Sequence, residues 1–184
     1  MKILGIAGSL RKDSFNRKLL AAMGGMLPES AEYSMGEIGN LPLFNQDDEK
    51  ERYPTAATVL KEAIREAGGV IIATPEYNRS IPGVLKNALD WTDRPSGDSA
   101  WDNKPVLVAG ASGGMIGTAL AQYDLKKVLM HAGALVSSEE VIVGTFKERF
   151  DEAGVITDED TKHKLAEAVA AFVDFVQLHS GKKL

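Results

Sequence analysis

Residues 8–16 combine hydroxyl, amide and guanidinium side chains at the point where an apolar strand gives way to a helical pattern. Ser9, Ser14 and Asn16 offer neutral hydrogen-bond donors, and Arg11 adds a positive charge. The free N–H groups and the positive dipole end of a helix N-terminus attract anions. The spacing therefore predicts a phosphate-binding loop, whereas a simple helix N-cap would need only one of these residues.

A second polar loop, residues 75–82, reads Pro-Glu-Tyr-Asn-Arg-Ser-Ile-Pro. Its two prolines restrict both ends, and no regular structure is expected to use the backbone amides between them. Such a segment can lie along the edge of a flat heterocycle. The side chains at its centre also have ordinary interpretations, Glu76 as a solvated or ion-paired acid and Tyr77 as a core or interface aromatic.

A third loop, residues 110–117, reads Gly-Ala-Ser-Gly-Gly-Met-Ile-Gly directly after an apolar strand. Four glycines in eight residues allow the backbone to approach a ligand closely. Glycine at these positions is equally compatible with close packing between a strand and a helix. The sequence leaves both interpretations open.

An alternation of apolar strands and amphipathic helices surrounds the three loops. Strands are predicted at residues 2–7, 31–35, 70–74, 105–109 and 135–143. Helices are predicted at residues 15–27, from Pro54 to the Gly68-Gly69 pair, and at 82–91, 115–132 and 158–178, with residues 36–52 irregular. The pattern is typical of an α/β fold, a doubly wound, five-stranded parallel sheet with helices on both faces.

The strand order decides which loops meet. In the common order 2-1-3-4-5, ligands bind beyond the carboxyl ends of the strands, where the order reverses between strands 1 and 3. All three polar loops follow strands that end at this edge. No repeat, linker or low-complexity tract divides the chain, so residues 1–184 are expected to form a single domain.

The composition excludes several functions. The chain has no cysteine, which rules out thiol nucleophiles, thiolate metal sites, iron–sulfur clusters and disulfides, and no other metal site is predicted. The formal net charge is −5, with the cations scattered among acids, which argues against nucleic acid or an anionic membrane as partner. Because no cleavable leader and no apolar run of about 18 residues is visible, we expect a cytoplasmic protein.

Taken together, the three loops resemble the NAD(P)H-dependent FMN reductase family, which contains flavin, quinone, azo-dye and chromate reductases on a flavodoxin-like fold. The resemblance extends from residue 2 to the last helix. The motifs that carry it are Gly8-Ser9-x-Arg11-x-x-Ser14-x-Asn16, Pro75-Glu-Tyr-Asn-x-Ser80-x-Pro82-Gly-x-Leu-Lys86-Asn87-Ala-x-Asp90-Trp91 and Ser112-Gly-Gly-x-x-Gly117.

The resemblance implies FMN as cofactor and NADPH or NADH as co-substrate. A hydride would pass from nicotinamide to flavin and on to quinones, free flavin, azo compounds or metal oxyanions such as chromate, with ping-pong kinetics. Because the flavin supplies the reactivity, no catalytic side chain is required. The implied contacts are Ser9, Arg11, Ser14 and Asn16 around the phosphate, Pro75, Glu76, Tyr77 and Asn78 along the isoalloxazine, and Ser112, Gly113 and Gly114 on its other edge.

The resemblance also implies a homodimer or homotetramer, with Glu76 and Tyr77 close to a neighbouring subunit. Some quinone- and chromate-reducing relatives have an arginine three residues before the tyrosine that matches Tyr123, where this chain has Leu120. A tetramer built on that arginine is therefore not expected here. Trp101 lies in a polar segment, where it either forms a wall for a partner's flavin or packs on its own domain.

Other classes of protein share parts of this pattern. Residues 110–114 match the G-x-S-x-G nucleophile elbow of serine hydrolases, but the candidate histidines, His163 and His179, lie on the terminal helix. A flavodoxin-type electron carrier would bind FMN without catalysis, although such carriers usually have a heavier acidic charge. A nucleotide dehydrogenase is less favoured, because the first strand is not followed by G-x-G-x-x-G.

Overall fold

The computed structural model describes residues 1–180 and contains a parallel sheet. The strands are β1 (Lys2–Ala7), β2 (Glu32–Gly36), β3 (Gly69–Ala73), β4 (Pro105–Ala111), β5 (Leu135–Val136) and β6 (Val141–Val143). Their order is β2-β1-β3-β4-β5, and β6 also pairs with β4. This order confirms the prediction, with the reversal between β1 and β3.

The strand predicted at residues 135–143 is in fact two short strands. β5 pairs with the start of β4 and β6 with its end. Between them, the Ser137 N–H still donates to Val106, and the Ser137 hydroxyl accepts the N–H of Glu139, which turns the chain out of the sheet. The apolar composition predicted one continuous strand because this local side-chain turn has only a weak sequence signal.

The helices agree with the prediction in number and place except for two short additions. The helices are α1 (Phe15–Gly24), α2 (Gln46–Glu51), α3 (Thr55–Glu66), α4 (Gly83–Thr92), α5 (Ala119–His131), α6 (Phe146–Arg149) and α7 (Glu159–His179). α2 lies in the stretch predicted to be irregular, where the Asn45 side chain caps it. None of the helices described in residues 1–180 has the length and apolar character needed to cross a membrane.

The core lies on both faces of the sheet. Alternate strand residues face opposite sides, so Ile3 and Ile71 pack with α1 and α7, whereas Leu4 and Val70 pack with α3, α4 and α5. All of these strand side chains are buried. The two apolar layers hold the carboxyl ends of β1, β3 and β4 side by side at one edge.

Trp101 belongs to this core. Its side chain is only 1% exposed, it packs in the layer beneath α3, α4 and α5, and its indole N–H donates to the Thr92 hydroxyl at 2.9 Å. The interpretation of Trp101 as an exposed wall for a partner's flavin is therefore wrong. The polar neighbours in sequence suggested exposure, but Thr92 satisfies the indole and makes burial of the ring favourable.

Candidate functional site

The three polar loops meet at the carboxyl edge of the sheet. The N–H of Gly8 donates to Ala73 at 2.8 Å, and the N–H of Thr74 donates to Ala109 at 2.9 Å. The first loop (residues 8–16) therefore lies beside the second (residues 75–82), and the second beside the third (residues 110–117). This is the position predicted for a ligand in a doubly wound sheet.

In the first loop, buried hydroxyls stand beside exposed charge. Ser9 and Ser14 are buried, whereas Arg11 is exposed. The Ser14 hydroxyl accepts the N–H of Arg17 at 3.4 Å and so caps α1. Within residues 1–180, the N–H groups of Phe15 and Asn16 have no acceptor. The loop therefore contains a helix cap and, in addition, free donors at the positive end of the helix dipole.

Asn16 has a role that the sequence did not predict. Its side-chain oxygen accepts the N–H of Ala111 at 2.8 Å, and its amide nitrogen donates to the Ala111 carbonyl at 3.0 Å. The side chain is buried, and only one amide hydrogen remains for another partner. Asn16 therefore ties the first loop to the start of the third, instead of presenting its whole amide to a ligand.

The second loop is a tight hairpin. Tyr77 and Ser80 exchange backbone hydrogen bonds of 3.0 and 3.1 Å. Between them, Asn78 and Arg79 both have positive φ, at 51° and 69°. Two successive residues in this left-handed region are the signature of a type I′ turn. Asn78 thus has a turn role, while Tyr77 is 48% exposed and is not a core aromatic.

Glu76 connects the second loop to α5. Its carboxylate accepts the N–H groups of Leu120 at 3.0 Å and Ala121 at 3.2 Å. These are orphan donors of the first turn of α5, whose own N-cap residue, Thr118, makes no side-chain cap. Glu76 is therefore neither a solvated acid nor an ion-paired acid within residues 1–180. Its carboxylate caps α5 from the second loop.

The glycines of the third loop divide into two groups. A Cβ at Gly110 would overlap the Thr118 hydroxyl and lie 2.6 Å from the Thr74 carbonyl oxygen, and Gly117 has a φ of 68°. These two serve packing and turn geometry. Around Gly113 and Gly114 a Cβ would meet only one atom each, at 3.8 Å. Their backbone faces open space, as close approach to a ligand requires.

Ser112 lacks the partners of a nucleophile. Its hydroxyl donates to the Gly114 carbonyl and accepts the Gly114 N–H, both at 3.1 Å. His163 pairs with Glu167 on α7, and the His179 ring contacts the Phe175 carbonyl. No histidine of residues 1–180 hydrogen-bonds Ser112, so the structure contradicts the serine-hydrolase interpretation.

Two aromatic residues beside the first loop were not found from the sequence. Phe146 stacks on Phe15 with ring centroids 4.5 Å apart, and Phe150 stacks on Phe146 at 4.1 Å. The Arg11 guanidinium lies 5.9 Å from the Phe15 ring centroid. The only available signal was the Phe-x-x-x-Phe spacing after β6, which predicts a short apolar face but not its location.

A second missed feature is the clamp that α4 makes on residues 42–44. Asn87 donates to the Pro42 carbonyl and accepts the N–H of Phe44, and the Trp91 indole donates to the same Pro42 carbonyl. Asn87 and Trp91 are four residues apart, so both side chains lie on one face of the helix. This spacing was visible in the second motif and predicts the shared face, but not the partner segment.

Two ionisable groups on α5 have shifted pKa values. Hydrogen bonds from Lys127 and Ser80 lower the pKa of Asp124. Tyr123 donates to Glu140 at 3.1 Å, which raises the pKa of the phenol. Within residues 1–180, no group of three or more His, Asp or Glu residues is arranged to hold a metal ion.

Comparison with known proteins places this chain in a family. Residues 1–148 match the family model described as NADPH-dependent FMN reductase. The chain is 43% identical to a 2-hydroxy-1,4-benzoquinone reductase from Burkholderia sp over 166 residues, covering 90% of each protein. It is 37% identical to a quinone reductase from Escherichia coli strain K12 over 181 residues, covering 96% of each.

A solved structure is similar over almost the whole chain. The flavoenzyme NAD(P)H:(acceptor) oxidoreductase FerB from Paracoccus denitrificans is 40% identical, with a TM-score of 0.90 over 97% of this chain and 98% of that one. Fold, sequence and family model thus agree, and they favour an enzyme over a non-catalytic electron carrier. The chain belongs to the NADPH-dependent FMN reductase family of oxidoreductases, whose members use FMN and NAD(P)H.

Proposed function

We propose that the chain forms one flavodoxin-like domain that binds FMN at the three loops and reduces quinones with NAD(P)H; the last four residues of the expected domain, 181–184, lie outside the described residues. The observation that carries this proposal is the first loop. Within residues 1–180, this loop contains an arginine, Arg11, that has no ion-pair partner, and N–H groups at the start of α1 that have no acceptor. Asn16 holds the loop against the third loop. An anion with a flat ring attached suits this combination.

The residues present fit FMN. Arg11, the buried hydroxyls of Ser9 and Ser14, and the N–H groups of Phe15 and Asn16 supply charge and donors for a phosphate. The remaining amide hydrogen of Asn16 is a further donor. For the ring, we propose contacts along Pro75, Glu76, Tyr77 and Asn78 on one edge and Ser112, Gly113 and Gly114 on the other.

FMN, when bound, supplies the two-electron chemistry by which a hydride from NAD(P)H reaches an acceptor. The side chains of this chain position and orient the reactants. Glu76 holds the second loop against α5, and Asn16 holds the first loop against the third. Because the three loops lie side by side at one edge of the sheet, we propose that donor and acceptor use the same side of the site in turn. We therefore expect ping-pong kinetics.

The loop surface favours an apolar, flat acceptor. Leu10, Tyr77, Met115 and Ile116 are exposed, and each of the three loops contributes at least one of them. Exposed apolar side chains grouped around a site mark it for an apolar ligand or partner. Quinones match this surface better than a metal oxyanion such as chromate, and free flavin and azo compounds are further candidate acceptors.

The same apolar surface supports an oligomer. Met115, Ile116, Leu120 and Tyr123 are exposed beside the third loop and along the outer side of α5. A homodimer or homotetramer would cover them and give the site a second wall. Because NADH and NADPH are the reductants of the cytoplasm, the proposal places the enzyme there.

Anaerobic reduction of the FMN-loaded protein tests the proposed function. We expect NADH or NADPH to bleach the oxidised flavin absorbance, and stoichiometric quinone to restore it. A panel of quinones, free flavin, azo dyes and chromate then ranks the acceptors. Reduction that is no faster than that of free FMN would contradict the proposal and would favour a non-catalytic carrier.

A further inference from the structure

The arginines of this chain are distributed unevenly between ion pairs and free positions. The chain has seven arginines. Five of them pair with a carboxylate: Arg17 with Glu37, Arg52 with Asp48, Arg65 with Asp98, Arg94 with Glu49 and Arg149 with Asp158. Within residues 1–180, only Arg11 and Arg79 lack such a partner. Both lie on loops of the candidate site.

Arg79 occupies a backbone position that side chains disfavour. It is the second central residue of the type I′ turn, with a φ of 69°. Glycine is the usual residue there, because a Cβ crowds the backbone in the left-handed region. Strained residues of this kind concentrate at binding sites. The turn would form more easily without the arginine, so its folding does not explain the residue.

The base of the turn is firmly anchored. Glu76 accepts two N–H groups at the start of α5, and the Ser80 hydroxyl donates to Asp124 at 2.8 Å. Tyr77 and Ser80 close the hairpin between these anchors. Arg79 itself is exposed. Within residues 1–180, the anchored turn thus presents an exposed guanidinium without an ion-pair partner on the second loop.

We propose that Arg79 binds a phosphate group of NAD(P)H, which deepens the proposed function and depends on it. The FMN phosphate has its own cation, Arg11, on the first loop. A dinucleotide brings at least two further phosphates to a protein whose formal net charge is −5. A guanidinium is suited to phosphate because it donates two parallel hydrogen bonds. The ligand chemistry is shared by the pyrophosphate of both dinucleotides and by the 2′-phosphate of NADPH.

The variant Arg79→Gly tests this role without a folding penalty. Glycine accepts the positive φ, so we expect an equal or higher thermal midpoint and an unchanged FMN affinity. The KM for NAD(P)H should rise about tenfold, with kcat at saturating donor within about twofold of wild type. Arg79→Lys should recover part of the loss. The matched control is Arg52→Ser, which removes an exposed arginine paired with Asp48 on α2.

A donor without phosphates separates phosphate binding from other effects. N-benzyl-1,4-dihydronicotinamide should give the same kcat/KM with wild type and Arg79→Gly. A loss with NADPH alone identifies the 2′-phosphate, and an equal loss with NADH identifies the pyrophosphate. An unchanged KM for both dinucleotides would overturn the inference, as would an equal loss with the phosphate-free donor.

Sedimentation tests the alternative role of Arg79, in which its guanidinium forms an ion pair with an acidic residue of a second copy of the chain. A lower mass for Arg79→Gly than for wild type would overturn the inference in favour of that contact. Wild-type protein that oxidises neither NADH nor NADPH, although it binds FMN, would overturn the proposed function and this inference with it. An active wild type with an unaffected Arg79→Gly variant would overturn only the inference.

Discussion

Asn16→Ala should destabilise the protein before any ligand is added. The Asn16 side chain is 2% exposed and makes two hydrogen bonds, of 2.8 and 3.0 Å, to the backbone of Ala111. Its removal leaves a buried N–H and a buried carbonyl without partners, at a cost of roughly 1–3 kcal/mol each. Because an opened site admits some water, we expect a total of about 2–4 kcal/mol. For a chain of this length that lowers the thermal midpoint by roughly 4–16 °C.

Urea denaturation of the apoprotein, followed by circular dichroism, measures this loss directly. Arg11→Ala is the matched control, since Arg11 is exposed and its side chain makes no hydrogen bond within residues 1–180. It should leave the urea midpoint unchanged. If apo Asn16→Ala is as stable as wild type and only FMN affinity falls, Asn16 is a ligand contact and the tie between the loops is energetically unimportant.

Three further predictions concern single side chains. Ser112→Ala should retain at least half of the NAD(P)H–quinone turnover, since within residues 1–180 its hydroxyl hydrogen-bonds only to Gly114. Total loss of turnover with FMN still bound would support a nucleophile. Gly110→Ala should destabilise the apoprotein, because the added Cβ overlaps Thr118, whereas Gly113→Ala should leave stability unchanged and weaken FMN binding. Urea midpoints and FMN titration separate the two effects. Equal urea midpoints for the two variants would refute the division into packing glycines and ligand-facing glycines. Hydrogen bonds from Thr161, followed by the Arg149 charge, lower the pKa of Asp158 in the folded protein. The Asp158 carboxylate therefore contributes to stability above the unfolded carboxyl pKa of about 3.9, and this contribution is lost as the pH falls through the lower pKa of the folded state. Asp158→Asn should therefore lower the thermal midpoint at pH 7, and the difference from wild type should shrink as the pH falls below the unfolded carboxyl pKa. A difference that stays constant with pH would contradict the assignment.

The strands and most helices could be predicted because burial imposes a simple periodicity on them. β1, β3 and β4 are almost entirely buried apolar runs, and their alternation with helices indicates a parallel sheet. Their order was taken from the common arrangement of such sheets. The short elements could not be predicted in this way. α2 depends on a side-chain cap by Asn45, and the split between β5 and β6 depends on Ser137. Such local hydrogen bonds have little composition signal.

The site was predicted as a set of loops but not as a set of contacts. The residue types of the first and third loops indicated where a ligand could bind, and the structure brings those loops together. Which atoms are free could not be predicted. Glu76 reaches α5 across 44 residues of sequence, and Asn16 reaches Ala111 across 95. These pairings arise only when the sheet brings distant segments together. The choice between the two interpretations of Trp101 could not be made for the same reason, since Thr92 meets its indole through tertiary packing.

Titration of the apoprotein with FMN and with riboflavin tests the central claim most directly, because the two ligands differ only in the phosphate. If the first loop binds that phosphate, wild type should prefer FMN, and Arg11→Ala should reduce the preference by about 10- to 100-fold, corresponding to roughly 1.5–3 kcal/mol for a charge-assisted hydrogen bond. Riboflavin affinity should not change in the variant. Equal affinity of wild type for FMN and riboflavin would contradict the phosphate assignment and, with it, the placement of the flavin site.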